Sequence, residues 1–428
     1  MIKRNTEVAD IVVLGGGAAG VMAAAAAARN GANVLLVESQ NCLGGSRTAT
    51  GVDTFYGFYT PGEHPRKVVG GIPDEIVERL RRENKLFERQ NTYGAGTGLT
   101  YDVEALKIAY EDLVMQAGCR LLFHTTACHV EAADGRVNSV WLANKAGLTE
   151  VKAAVFVDTT GDADIVARAG GGFNAGSEAE PNQSLSTIFF MGNVDLERAA
   201  AVSHREMAER MKEANRRGKF TLPREDGSYH RTPNPGVIQA NMVRVKNIDA
   251  TDPFALTKAE LEGRKQVQQY AAFLKSHIPG FESAFLIGTS QYIGVRESRK
   301  IEGHYTLTED DVISGRKFSD SIACCGAPVE DHHPGEGTRW AYVSDGGHYH
   351  IPFRCLIPVA LHNVVVAGRC LSATHGAQAS ARNSAQSMAM GQAAGTAAAL
   401  AAKDKTDFAD LDIDAVRRML TEQYAIID

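Results

Sequence analysis

The stretch DIVVLGGGAAGVMAAAAAARNGANVLLVE, residues 10–38, decides the fold. Residues 10–14 are a short run rich in β-branched side chains that ends on Gly15-Gly-Gly-Ala-Ala-Gly20. The segment from Val21 to Arg29 contains an unbroken run of alanines and predicts a helix. Gly31 stops that helix, and Asn33 to Glu38 reads as a second strand. A strand, helix and strand this close together imply a parallel pair joined by a right-handed crossover. The glycines Gly15, Gly17 and Gly20 fall between strand and helix, the context in which a G-x-G-x-x-G run binds a dinucleotide. Gly15 permits the tight turn, Gly17 lets a pyrophosphate approach the backbone, and Gly20 lets helix and strand pack closely. Ala18 and Ala19 open the helix, whose free N–H groups and dipole favour phosphate. Glu38, followed by Ser39, is placed to accept hydrogen bonds from ribose hydroxyls and favours an unphosphorylated ribose over NADP. The bland alternative, a glycine-rich packing turn, leaves the terminal acid unexplained.

Working outward, residues 43–100 begin as a Gly- and aromatic-rich, cap-like loop, with a charged amphipathic helix expected over 74–88. A second helix is expected over 102–117. Apolar runs follow at 120–126, 128–132, 135–142 and 151–158, with Ala133-Asp134-Gly135 as the turn of a β-hairpin. A second glycine match, at Gly170 and Gly172, follows a helix and opens none, so it is not taken as a nucleotide site. Between about 185 and 345 the composition shifts: helical segments at 196–217 and 257–276 flank a loop rich in Pro, Gly, Asn and His. The chain then returns to a buried strand at 363–368, a helix of small residues at 384–402 and a polar helix at 412–424.

The chain has 428 residues, of which 42 are Gly and only 13 Pro, with no G-x-y repeat, so collagen-like and low-complexity readings fail. Net charge is −6 and no long Lys/Arg run occurs, which excludes the electrostatic footprint of a nucleic-acid partner. There is no apolar leader and no stretch of the roughly 18 apolar residues a membrane span needs. Seven cysteines without a C-x-x-C read as reduced thiols in a cytoplasmic protein, with the adjacent Cys324-Cys325 pair singled out as a redox candidate.

Further motifs narrow the dinucleotide. Cys42-Leu-Gly44-Gly45-Ser46 supplies a glycine doublet after Glu38. Residues 155–164 form a strand ending in Thr160-Gly161-Asp162, and residues 364–369 a late strand ending in Gly368-Arg369. With GGIPDEIVERL (70–80), GVRESRKIEGHYTLTEDDV (294–312), IPFRCLIP (351–358) and VVVAGRCLSATHGAQASAR (364–382), the sequence resembles the FAD-dependent oxidoreductases of the two-dinucleotide-binding-domain flavoprotein group. It is more distantly similar to the fumarate reductase and succinate dehydrogenase flavoproteins. The resemblance implies an α/β fold: a Rossmann-like FAD-binding domain with a parallel sheet and β-hairpin insert (1–184 and 346–428), and an inserted α+β substrate domain (185–345). It also implies that Gly44, Gly45 and Ser46 follow the pyrophosphate and that Ala127 and Cys128 bracket the adenine. Thr160, Gly161, Asp162, Gly368, Arg369, His375 and Arg382 complete the FAD contacts. Arg369 stands where an acid is usual, and Asp162 is the residue expected to compensate.

Two catalytic residues are expected. Arg296, in the Arg-Glu-Ser-Arg run, suits a substrate carboxylate or oxyanion, as does Arg299; the alternative is a structural Arg–Glu pair with Glu297. His375 precedes the flavin-facing turn as a general base, or bonds the flavin or backbone without proton transfer. His332-His333 and His348-Tyr349-His350 lack acid or Cys partners at ligand spacing, so no metal site is expected and they read as pocket lining. The expected function is a dehydrogenase moving a hydride between FAD and a small polar substrate bearing a carboxylate or hydroxyl. Reduction of an unsaturated acid and a low-turnover FAD-binding subunit are the alternatives. The electron acceptor is not named by the sequence, and a homo-oligomer is compatible with it.

Overall fold

The computed structural model describes residues 4–91, 94–333 and 337–428, so Gly335, to which the sequence assigns no role, lies outside it. At its centre is a five-stranded parallel sheet in the order 364–366, 155–158, 11–14, 34–37, 120–122. Its three inner strands and the edge strand 364–366 are buried at every residue, as an apolar run between two covered faces must be. The first helix, Ala18–Arg29, lies against the long helix Ser384–Asp404. Their backbones approach so closely that a Cβ on Gly391 would stand 2.2 Å from the Ala19 carbonyl oxygen, and one on Gly395 2.1 Å from that of Ala23. Both helices are built from small residues for that reason.

The expected hairpin is present: 126–133 and 136–144 pair antiparallel about Asp134 and Gly135, both at positive φ, as a tight primed turn requires. Residues 147–152 add a third strand and 4–8 a fourth. The apolar run 151–158 is therefore not one strand. Val151 and Lys152 end the hairpin sheet, and Val155 begins its stretch of the central sheet.

A second apolar core is built on an antiparallel sheet in the order 228–231, 238–241, 189–192, 285–289, together with the helices His204–Arg216 and Pro253–His277. It closes at Ile293, with Val295 packed on it, well short of the boundary expected at 345. Ile301, Leu307, Val312, Ile322 and Val343 all belong to the first core. The cause is pairing: Lys300–Ile301 join 173–174, and 321–325 pair with 349–352.

Two helices differ from expectation. The helix over 74–88 runs instead from Ile72 to Arg82. Asn84 then turns left-handed at φ 54°, a conformation Asn tolerates, and Leu86–Gln90 pair with 97–101. The helix over 196–217 breaks into 196–200 and 204–216, where Ser203 caps the second piece by accepting from the Glu206 N–H at 3.1 Å. Among the described residues no helix is long and apolar enough to cross a membrane.

Candidate functional site

A cavity of about 460 Å³ opens between the two cores. One wall is the turn from strand 11–14 into helix 18–29, presenting Gly15, Gly17, Ala18 and Ala19. Gly15 sits at φ +100°, and a side chain there would strike the Thr159 carbonyl at 2.5 Å. A Cβ on Gly17 would meet nothing within 4 Å, so the cradle at the helix N-terminus is open. Gly20 does not line the cavity; it packs beneath it, where a Cβ would lie 1.8 Å from the Gly15 carbonyl oxygen.

Glu38 is buried at the end of its strand. Its carboxylate accepts from the Gly16 N–H (2.7 Å), the Gln40 N–H (2.8 Å) and the Ser39 hydroxyl (3.0 Å). Those bonds aim the carboxylate along the lining, which also includes Ser39, Thr125, Thr126 and Ala127. Cys128 stays outside it: at the irregularity in strand pairing between Ala127 and His129 its thiol turns toward the Trp141 carbonyl at 3.3 Å. The Gly44–Gly45 doublet crosses the fingerprint, though Gly44 itself does not line the cavity. The Gly44 N–H donates to the Gly16 carbonyl (2.7 Å), and Gly45 and Ser46 face the cavity.

The opposite wall is shaped by Asp158, fully buried, which accepts from the Thr160 N–H and hydroxyl and from the Ile165 and Val166 N–H groups. These bonds fix Thr160, Gly161 and Asp162 along the cavity. Arg369 follows Gly368 into it and pairs with Asp162 at 2.5 Å while donating to the Val295 carbonyl at 2.8 Å. Burial opposes its charge, but Asp162 outweighs burial and raises its pKa. Asp162, the acid expected to compensate for Arg369, is paired with it across the cavity. The Arg369 Nε and the Ser384 hydroxyl are buried without a protein partner, so the lining offers polar groups that a bound cofactor can satisfy.

At the far end the lining is cationic. Arg296 donates to the Ser184 carbonyl at 2.5 Å, and Arg382 to the Gln183 side chain and the Glu330 carbonyl, each at 3.1 Å. Arg47 and Tyr56 also face this end. Burial, then the neighbouring Arg382, Arg224 and Arg244, push the Arg296 pKa well below the usual guanidinium value; Glu330 opposes them. Arg224 and Arg244 have their own acid, Asp226, at 3.0 and 3.8 Å. Burial alone would raise the Glu330 pKa, yet the His332 bond and the Arg382 and Arg296 charges bring it down to about 2. His332 falls to about 3 through burial and then Arg296, so it is neutral and donates Nε2–H to Glu330 at 3.0 Å. Its Nδ1 accepts from the Thr338 hydroxyl at 3.2 Å.

His375 corrects the expectation of a general base. Its Nδ1 stands 2.8 Å from Glu297 and its Nε2 3.0 Å from Asp331, and it does not line the cavity. Burial lowers its pKa, but the two carboxylates outweigh burial and raise it to about 9. The imidazolium has no lone pair to offer near neutrality. Glu297 also pairs with Lys300, so it is not the partner of Arg296. Arg299 is structural: it bonds Asp164 at 2.9 Å and lies over the Phe173 ring. Arg47, Tyr56 and Glu330 were not singled out in the sequence; only Arg47, directly after Gly44-Gly45-Ser46, had a signal there to find.

The sequence profile of the family described as FAD dependent oxidoreductase matches residues 10–420. A search of curated protein sequences finds no match. Solved structures to which this chain is similar include a geranylgeranyl bacteriochlorophyll reductase-like protein from Thermoplasma acidophilum, 13% identical over 98% of this chain and 84% of that one, TM-score 0.49. L-proline dehydrogenase from P. horikoshii is 13% identical over 98% and 99%, TM-score 0.46. The p-nitrophenol 4-monooxygenase from Pseudomonas putida DLL-E4 is 10% identical over 97% and 82%, TM-score 0.46.

Proposed function

This chain belongs to the FAD-dependent oxidoreductase family, and from that premise we propose that it is a dehydrogenase of a small substrate whose carboxylate is held by Arg296 and Arg382. The observation that carries the reading is the excess of positive charge at one end of the cavity. Arg47, Arg296 and Arg382 face it, with Glu330 ionised among them and His332 neutral. A buried cationic surplus is stabilised by an anionic ligand, and guanidiniums match a carboxylate geometrically.

The residues present fit FAD. Gly15, Gly17, Ala18, Ala19, Gly45 and Ser46 would hold the pyrophosphate, and Glu38 the adenosine ribose, with Thr125 to Ala127 beside the adenine. Thr160, Gly161, Asp162, Gly368 and Arg369 would hold the remainder of the chain to the flavin. Bound FAD supplies two-electron chemistry, taking up a hydride equivalent from a substrate carbon and passing the electrons to a second acceptor. The arginines bind and orient the substrate, and the Glu330–His332 pair keeps their side chains in place. Because Glu330 is ionised and His332 neutral far below pH 7, neither takes a proton near neutrality. Their part is positioning. Cys128 is exposed and the other six thiols are buried, none in a disulfide, which supports a reducing, cytoplasmic setting.

Anaerobic bleaching of the bound FAD against hydroxy acids, amino acids and their uncharged analogues tests the reading. Bleaching by the acids but not the analogues is expected; bleaching by uncharged polyols alone overturns it. The depressed Arg296 pKa favours a second reading, with Arg296 as proton donor in reduction of an unsaturated acid. Reoxidation of dithionite-reduced enzyme by such acids supports that direction.

A further inference from the structure

Away from the cavity, strands 321–325 and 349–352 pair antiparallel, with Cys324 opposite His350. His348 and His350 are two residues apart and share one face of the strand direction. Their rings stack with centroids 5.8 Å apart at 26°. One ligand atom each from Cys324, His348 and His350 lies within 4.8 Å of the others. Cys324 is 0% and His350 6% exposed.

Neither ring nitrogen of His348 has a hydrogen-bond partner, although both atoms are shielded from solvent, and the same holds for the Nε2 of His350. Buried polar atoms are nearly always paired, so unpaired nitrogens gathered beside a thiol point to an occupant that accepts lone pairs. The second nitrogen of His350 meets the backbone of Phe318. Its Nδ1 lies 3.4 Å from the Phe318 carbonyl and 3.2 Å from the Phe318 N–H. The Phe318 N–H donates to Nδ1, so the ring proton sits on Nε2; a cation at Nε2 requires that proton to move to Nδ1 and turn to the Phe318 carbonyl, the outer-shell arrangement of metal-bound histidines.

We propose that Cys324, His348 and His350 bind one Zn²⁺. A thiolate and two imidazoles suit a borderline-soft cation and discriminate against Mg²⁺ and Ca²⁺. On binding, the Cys324 thiol releases its proton to solvent, an S–Zn bond forms, and water takes the fourth position. With Zn–N near ~2.1 Å and Zn–S near ~2.3 Å, the ligands draw together slightly from their present spacing. The ion fastens two strands that support the cofactor domain, since the Cys324 carbonyl accepts from Gln386 in the long helix at 3.3 Å. This site is independent of the substrate reading.

The test uses the full-length, FAD-loaded protein stripped with a chelator and titrated with Co²⁺, then Zn²⁺. One Co²⁺ per chain with a thiolate-to-cobalt charge-transfer band, displaced by Zn²⁺, and a Zn²⁺-dependent rise in Tm are expected. Cys324→Ser should abolish the band. His348→Asn, at a half-buried position, should weaken binding by more than about 100-fold, beyond the loss of an outer partner, while the FAD absorbance is retained. If Cys324→Ser loses FAD, His348→Asn decides. Absence of the band in the native protein, or unchanged affinity in an FAD-retaining His348→Asn protein, overturns the proposal.

Discussion

His375 shows how a residue's surroundings decide its role. Clamped between Glu297 and Asp331, it is an internal cation that joins strand 329–331 to the helix beginning at His375. Its folded pKa of about 9 exceeds the unfolded value, so the stabilisation is complete below about pH 6.5 and disappears as pH rises through 9. Urea denaturation should therefore show a loss on the order of 3 kcal/mol across that window. His375→Ala removes the cation between two buried carboxylates and should cost about 3–5 kcal/mol in the same measurement, with turnover per bound FAD far less affected. At the cavity, Arg296→Ala should lower kcat/KM for an acidic substrate by about 3 kcal/mol, roughly two orders of magnitude. Uncharged analogues should be nearly indifferent to the change. Asp162→Asn, which breaks the pair with Arg369, should weaken FAD by about tenfold, read by fluorescence titration of the apoprotein.

Between elements, the tightest fit is the first helix on the long late one. Gly391→Val would drive a branched side chain into the Ala19 carbonyl and should destabilise the protein by about 3 kcal/mol or more in thermal or urea unfolding. The glycine fingerprint, the terminal Glu38 and the small-residue helix were legible in sequence because each is local: a turn, a strand end, a helix face. What was not legible depends on register between distant strands. Spacing along the chain shows His348 and His350 without a cysteine, yet antiparallel pairing brings Cys324 opposite His350. Likewise His375 reads as a free base until Glu297 and Asp331 arrive on either side of it from separate segments. Asn84 ended a helix that its charge pattern alone would have continued.

Over the whole molecule, the cavity lies between two apolar cores, and its cationic end draws residues from both sides of the second one. Residues 300–343 pack in the first core although composition groups them with the second, because their strand partners lie at 173–174 and 349–352. The central sheet is completed by strand 364–366, and the first helix by residues 384–404. A chain ending at residue 360 should therefore retain the entire fingerprint and yet bind no FAD in equilibrium dialysis.

That closure also sets a timetable. The alanine face of residues 18–27, buried throughout in the finished protein, leaves the ribosome long before its partner helix at 384–404. At ~5–20 residues per second it waits tens of seconds for the covering helix, an apolar surface without its mate. The nascent chain thus carries an uncovered apolar surface until the late helix is made, and the complete FAD cradle forms only after it.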